Sequence, residues 1–348
     1  MRACVIHRAK DLRIEDLPDP AKLQPDEVLV GLGAGGICGS DLHYYHDGGA
    51  GDFRLREPLV LGHEVAGEIM ATGSGVTALE AGQRVAVNPT RPCFSCRECR
   101  AGRAHLCQNV RFYGSAARFP HVQGAFVERF VASERQCHPI PDHLSYPAAA
   151  CAEPLAVALH AVTRGGPLLG SRVLVTGSGP IGVLVAAACR LAGATEVVVT
   201  DLFGEALAVA LAMGATETIN VSEAGSGDSR LSQLADEFHA VFEASGSPAA
   251  LQLGIQAARP QAKVVQVGML PPGNVAAPLN RVLAKELAVV GTFRFYEEFG
   301  WAVTALAGGR IDVTPLLSAQ FPLGRAPEAF ALASDRRRAM KVSLVPDP

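Results

Sequence analysis

Ser171-Arg-Val-Leu-Val-Thr-Gly-Ser-Gly-Pro-Ile-Gly182 reads as a buried strand, Arg172–Thr176, turning directly into an apolar helix, Pro180–Leu191. Its glycines fall as Gly177-x-Gly179-x-x-Gly182, with Pro180 and Ile181 between them. A second strand, Glu196–Thr200, follows, and Asp201 stands at its tip, 19 residues beyond Gly182. Strand, glycine turn, helix, strand and acid in this order make the dinucleotide fingerprint in its proper context. The glycines let backbone approach a pyrophosphate, and the helix N-terminus supplies partial positive charge. Asp201 accepts both ribose hydroxyls and repels a 2′-phosphate, so NAD is favoured, with NADP possible. The alternation continues through Glu205–Met213 (helix), Thr218–Asn220 (strand), a polar surface turn at Ser222–Asp228, His239–Glu243 (strand), Pro248–Ala258 (helix), Lys263–Val267 (strand) and Leu287–Val290 (strand). This predicts an α/β, doubly wound parallel sheet. Ser245, Val267 and Gly268 fall at strand ends, where such a sheet binds its ligand, and join the candidate cofactor residues.

Upstream the pattern changes to short strands, Ala3–Ile6 and Val28–Leu32 among them. Gly35-Gly-Ile-Cys-Gly-Ser-Asp-Leu-His43 is answered by Gly62-His63-Glu64, at the near end of a strand running from Val60 to Met70. Cys38, His63 and Glu64 offer sulfur, nitrogen and oxygen, the mixed set of a catalytic zinc with one position open. With Cys38 closing a strand and a helical turn following, Ser40 sits beside the ligand and His43 further out, a hydroxyl-to-imidazole path for a proton. A buried free cysteine beside two loop histidines is the bland alternative. The glycine-rich Asp47–Asp52 segment reads as a loop beside the site. Glu153 stands just before a helix, amid Ala-Ala-Ala-Cys-Ala, where burial is expensive unless a cation answers it. It is either a further carboxylate for the metal or an exposed helix cap.

Cys93-x2-Cys96-x2-Cys99-x7-Cys107 holds four thiolates at a spacing that closes a tetrahedral zinc shell. Such a closed shell is structural and pins a lobe with few apolar residues of its own. The chain has nine cysteines in all, four of them in this cluster, and Met1–Arg8 carries no signal-peptide pattern. Metal binding in a reducing cytoplasm follows as the expectation.

At 348 residues and 49% hydrophobic the chain has room for about two domains of ~150 residues each. A net charge of −3 with acids and bases intermixed argues against a nucleic-acid partner. The longest apolar runs are broken by Glu153, His160 and Arg190, short of the ~18 residues that span a membrane.

Taken together, Gly36–His43, Gly62-His-Glu64, the cysteine lobe, Glu153-Pro-Leu and Gly177–Gly182 resemble the zinc-dependent medium-chain alcohol/polyol dehydrogenases over the whole length. Cys38, His63-Glu64 and Glu153 are similar to the sorbitol dehydrogenase branch, in which glutamate replaces a third-ligand cysteine. Ser40–Tyr45, Phe293-Arg-Phe295 and Pro315-Leu-Leu-Ser-Ala319 resemble the L-idonate 5-dehydrogenases more narrowly. The resemblance implies a mainly-β GroES-like catalytic domain at 1–155, a Rossmann NAD-binding domain at 156–294, and a return of 295–348 to the first. It implies two zinc ions per chain, with Cys38 and His63 as ligands and Glu64 and Glu153 competing for the carboxylate position. It implies Ser40 and His43 as proton relay, and Tyr44 and Arg294 near the polyol, Arg294 suited to a substrate carboxylate. The implied activity is oxidation of a secondary hydroxyl of a polyol or sugar acid, L-idonate to 5-keto-D-gluconate first among them, by a cytoplasmic homodimer or homotetramer. Sorbitol, xylitol, L-threonine and formaldehyde are the alternative substrates. A catalytically silent NAD(P)H-binding protein of the quinone-reductase/crystallin type is the alternative outside enzymes.

Overall fold

The structure is a computed structural model that describes residues 1–20, 22–223 and 233–348. The chain divides into two compact units. The first comprises Met1–Glu153, Phe299–Gly309 and Leu317–Pro348, the second Pro154–Glu298 and Arg310–Leu316. The segment Arg310–Leu316 therefore lies with the second unit, not with the rest of the C-terminal stretch.

The first unit is built on a seven-stranded sheet, among the described residues, whose axis is Glu27–Gly36. One edge of that strand pairs antiparallel with Glu64–Thr72. The other edge is shared: Arg129–Ser133 takes its first half, and Lys341–Val345 takes Gly35 and Gly36. Alternating burial along Glu27–Gly36 puts Val28, Val30, Leu32 and Ala34 into the core, as a pleated half-buried strand requires. One apolar cluster gathers Val28, Val30, Ile69, Val85 and Val127, and another gathers Ile6, Leu59, Phe126, Phe330 and Leu344.

Three local readings change here. The strand expected from Val60 to Met70 is interrupted: Leu59–Val60 ends before 61–63, and Glu64–Thr72 begins after them. Gly62 forces the break, with φ 96° and a ring of Phe126 2.2 Å from where a Cβ would stand. The loop expected at Asp47–Asp52 contains half of a two-stranded hairpin, Gly49–Ala50 paired with Phe53–Arg54. Glu153 lies inside the first turn of helix Ala152–Gly165, not before it, because Pro154 is tolerated where amide groups have no helical partner.

The second unit is a six-stranded all-parallel sheet, among the described residues. Its order is Glu217–Asn220, Glu196–Asp201, Arg172–Thr176, Phe238–Glu243, Ala258–Gln266, Ala288–Gly291. In chain order this is 3-2-1-4-5-6, the doubly wound topology, with its reversal between Arg172–Thr176 and Phe238–Glu243. The near-continuous burial of Val173–Thr176 and Val197–Thr200 is what covered parallel strands require. Of the expected turn at Ser222–Asp228, positions 224–228 lie outside the described residues. No helix among the described residues is long and apolar enough to cross a membrane.

Candidate active site

Three adjacent strands of the first unit converge on one buried point. Glu27–Gly36 runs out into Cys38, which caps helix Gly39–Asp47. Glu64 stands opposite Gly36 in the neighbouring strand, with His63 just before it. Lys341 opens the strand on the other side. Gly36 has no room for a side chain: its Cβ would lie 2.3 Å from Glu64 Oε2. The ligand atoms of Cys38, His63 and Glu64 all lie within 4.8 Å of one another.

The electrostatics of this pocket are lopsided. Asp41, His63, Glu64, Glu153 and Lys341 are all buried. Ionised, Cys38, Asp41, Glu64 and Glu153 carry four negative charges against the single positive charge of Lys341. Burial, reinforced by Glu64, pushes the Cys38 thiol up to about 12. Burial also raises the Glu153 carboxyl well above the usual range, with His63 acting against it and Glu64 and Cys38 adding to it. Both acids thus hold their protons for want of positive charge, and a divalent cation reverses that balance. The donor set of one sulfur, one imidazole and one carboxylate suits zinc. His63 Nδ1 is buried without a hydrogen bond among the described residues and faces Asp41 Oδ1 at 3.6 Å. A carboxylate behind the imidazole is the usual support of a metal-ligating histidine.

Glu64 and Glu153 are placed differently. Both oxygens of Glu64 accept hydrogen bonds from Lys341 Nζ, at 2.8 and 2.7 Å. Glu153 lies outside the 4.8 Å set, although its charge acts on Cys38, His63 and Glu64. Ser40, two residues after Cys38, acts to lower the thiol, the smallest of the influences on it, against burial and Glu64, which raise it. His43 lies outward on the exposed face of the helix, with Nδ1 3.1 Å from Asp47 Oδ2. Tyr44 points the other way, into the apolar cluster of Ile6, Phe126 and Phe330, and its hydroxyl accepts the Ala116 amide N–H at 3.0 Å. The side chain so placed anchors the core, and no substrate contact is assigned to it. Arg294 belongs to the second unit, with backbone φ 56° and its guanidinium 4.9 Å from the Phe293 ring centre.

Two residues of the pocket escaped the sequence reading. Asp41 Oδ2 accepts the Cys38 amide N–H at 3.0 Å, the back-reaching half of a capping box. An acid three residues after a helix cap is a readable signal for that role. Lys341 carried no signal, being 277 residues from Glu64 in sequence.

The four lobe cysteines also gather within 4.8 Å. Cys107 Sγ lies 3.5 Å from Cys93 Sγ and 3.9 Å from Cys96 Sγ. Bonds of ~2.3 Å to a tetrahedral zinc give sulfur–sulfur edges of about 3.8 Å, so the cage fits that ion. The amides of Cys93 and Asn109 donate to Cys107 Sγ, each at 3.3 Å, stabilising sulfur as thiolate. The hydroxyl of Ser95 leads the effects that lower Cys93 to about 5, while burial leads those that raise Cys99 to about 12. Cys96→Ala opens this cage. The expected result is loss of one metal equivalent and at least about 3 kcal/mol of stability, a fall of roughly 6–12 °C in Tm. Metal analysis beside a thermal melt checks it; an unchanged melt contradicts a structural cage.

In the second unit the glycine turn and its acid meet. Gly177 has φ 97°, and Gly179 caps helix Pro180–Leu191, whose first turn holds Pro180, Ile181 and Gly182. Asp201 Oδ2 accepts Ser178 N–H at 2.6 Å, and Oδ1 accepts the amides of Leu202 and Phe203 at 2.7 and 3.1 Å. Ser245 and Gly268 lie at the carboxyl ends of adjacent strands, Val267 beside them.

Comparison with known proteins gives concordant findings. Residues 24–142 match the model of the alcohol dehydrogenase GroES-like domain, and residues 180–308 that of the zinc-binding dehydrogenases. The chain is 40% identical to L-idonate 5-dehydrogenase (NAD(P)(+)) of Escherichia coli over 91% of both sequences. It is 37% identical to sorbitol dehydrogenase of Gallus gallus, over 99% of this chain and 96% of the relative. The crystal structure of L-idonate 5-dehydrogenase from E. coli superposes with a TM-score of 0.93 at 37% identity, covering 99% of this chain and 97% of that one.

Proposed function

The chain belongs to the zinc-binding alcohol and polyol dehydrogenases, and within that family we propose that it oxidises a secondary hydroxyl of a sugar acid, L-idonate to 5-keto-D-gluconate, using NAD. The observation that carries the reading is the buried Cys38–His63–Glu64 set, whose charge imbalance fits a divalent ion. We assign two zinc ions to each chain, one held there and one by Cys93, Cys96, Cys99 and Cys107. When bound, the first supplies a Lewis acid that polarises the reacting hydroxyl, and the dinucleotide supplies the hydride acceptor.

The remaining work falls to the chain's own groups. Ser40, beside the Cys38 sulfur, receives the substrate proton, and His43, on the exposed face of the same helix, delivers it to water. Glu64 is assigned the ligand position; Glu153, outside the 4.8 Å set, completes the charge balance behind it. Gly177–Gly182 receive the pyrophosphate at a helix N-terminus, and Asp201 the ribose, with Ser245, Val267 and Gly268 beyond them. Leu202-Phe203-Gly204 after Asp201 brings no cation that would welcome a 2′-phosphate, which supports NAD over NADP. Arg294 is assigned to the substrate carboxylate, the group that separates a sugar acid from sorbitol. The reading extends to a cytoplasmic homo-oligomer: thiolate cages favour a reducing compartment. The edge strand Ala288–Gly291 with Leu279, Leu283 and Val289 presents exposed apolar surface that a second copy would cover.

Initial rates with L-idonate, sorbitol, xylitol and L-threonine, each with NAD and NADP, test this. The expected result is a kcat/KM for L-idonate with NAD at least about tenfold above every other pair, the discrimination that one charged contact supplies. Equal or faster oxidation of sorbitol removes the sugar-acid assignment and leaves the polyol dehydrogenase.

A further inference from the structure

We propose that Glu243 is a positioning residue for the nicotinamide half of the dinucleotide, holding the turns on which that half rests. The inference depends on the dinucleotide reading above. Glu243 ends the strand Phe238–Glu243, next to the reversal in strand order, and is fully buried. Its carboxylate is saturated with donors. Oε1 accepts the Ser245 amide at 2.8 Å, the Ser245 hydroxyl at 2.5 Å and the Gly246 amide at 3.0 Å. Oε2 accepts Gln266 Nε2 at 2.5 Å and shares the Gly246 amide at 3.2 Å. Gln266 Nε2 donates onward to the Gly268 carbonyl at 2.7 Å. The main-chain carbonyl of Glu243 accepts the amides of Val267 and Gly268, both at 2.8 Å. One residue therefore ties down the turns that follow two neighbouring strands. They interlock so closely that a Cβ on Gly268 would lie 2.3 Å from Gly246 N.

A buried anion is a poor choice for stability alone, because well-packed apolar residues do at least as well. It fixes the direction of backbone groups instead, which a binding site demands of the residues behind it. The sheet order says which half of the ligand is concerned. Asp201 ends the strand on one side of Arg172–Thr176, and Glu243 ends the strand on the other. A dinucleotide with its adenosine ribose at Asp201 and its pyrophosphate at Gly177–Gly182 lays its remaining half over the ends of Phe238–Glu243 and Ala258–Gln266.

The test compares NADH with 5′-AMP, which carries the adenosine half alone, on the intact metal-loaded protein. Glu243→Gln turns an amide NH2 toward Gln266 Nε2, two donors face to face, and frees the Gly268 turn. The expected result is an NADH Kd, from fluorescence titration, raised about tenfold, with the 5′-AMP Kd within about twofold of the parent and metal content unchanged. Gln266→Leu, which removes no charge, should reproduce the split, and the double variant should be no weaker than either single one. Equal losses for NADH and 5′-AMP would reduce Glu243 to a structural residue and overturn the proposal. So would parental NADH affinity in both variants. Should Glu243→Gln not fold, the Gln266→Leu comparison decides by itself. A parent that binds neither ligand overturns this proposal and the dinucleotide reading together; a parent that binds both with unaffected variants overturns this one alone.

Discussion

Cys38→Ala is expected to leave a folded chain whose kcat/KM is lower by at least about 10^3, some 4 kcal/mol of lost transition-state stabilisation. The two halves of that result have separate causes. The activity falls because one of three clustered ligand atoms is gone, and two ligands on one face do not hold an ion in an open tetrahedral site. The fold survives because, without metal, the buried Cys38 is a neutral thiol, pushed to about 12 by burial and then by Glu64. Alanine replaces a small uncharged group by a smaller one. Metal analysis should find the Cys93–Cys107 cage still loaded and the other equivalent missing. Full turnover in this variant would sink the assignment of the pocket.

The same thiol gives the variant a pH signature. Its value in the folded chain lies above the ordinary 9.0, so folding favours the protonated form. That contribution is complete below about 9 and is lost as pH rises toward 12, since the unfolded thiol ionises first. Metal-free parent protein should therefore lose Tm relative to metal-free Cys38→Ala as pH climbs past 9. Melts at stepped pH in chelator check the sign: a widening advantage for the parent would contradict it.

What could be read from the chain before the fold was seen divides by sequence distance. The glycine turn was legible as structure because its strand, glycines, helix and acid are contiguous, and each residue type answers a local backbone need. The cysteine cage was legible for the same reason, all four sulfurs lying within 15 residues. Cys38 and His63-Glu64 carry recognisable chemistry, but the ring of Phe126, which leaves no room for a side chain at Gly62 in the interruption at 61–63, is announced by no local pattern. Tyr44 shows the limit on a short helix: the resemblance implies a place near the polyol, and tertiary packing sets its ring in an apolar cluster, which no pattern along Gly39–Asp47 announces. Lys341 and Glu243 were invisible. A lysine in a tail and a glutamate at a strand end are unremarkable until sheet pairing sets one on Glu64 and the other under three turn groups.

Lys341→Met is expected to be strongly destabilising to the first unit. Lys341 Nζ lies 2.8 and 2.7 Å from the Glu64 oxygens and 3.2 Å from the Ile37 carbonyl, with 3% of its side chain exposed and 1% of Glu64's. Burial alone would drive the ammonium toward neutrality; Glu64, Cys38 and Cys151 outweigh it and raise Lys341 above its ordinary value. Methionine keeps the length and removes the charge, so a carboxylate is left buried with no counter-ion. Breaking a buried pair in this way costs about 3–5 kcal/mol, on the order of 10 °C in Tm. Lys341→Met with Glu64→Gln removes both charges and should recover more than half of the loss, a coupling that only partners in one network display. Simple addition of the two single effects would mean the pair does not hold the pocket. Metal sharpens the prediction. A dication held at Glu64 would share its carboxylate with the ammonium, and two cations on one carboxylate repel each other. Removing one lets the other bind more tightly, so the rise in Tm on adding zinc should be larger for Lys341→Met than for the parent. An equal rise in both would place Lys341 outside the electrostatics of the metal pocket and leave it a strand anchor.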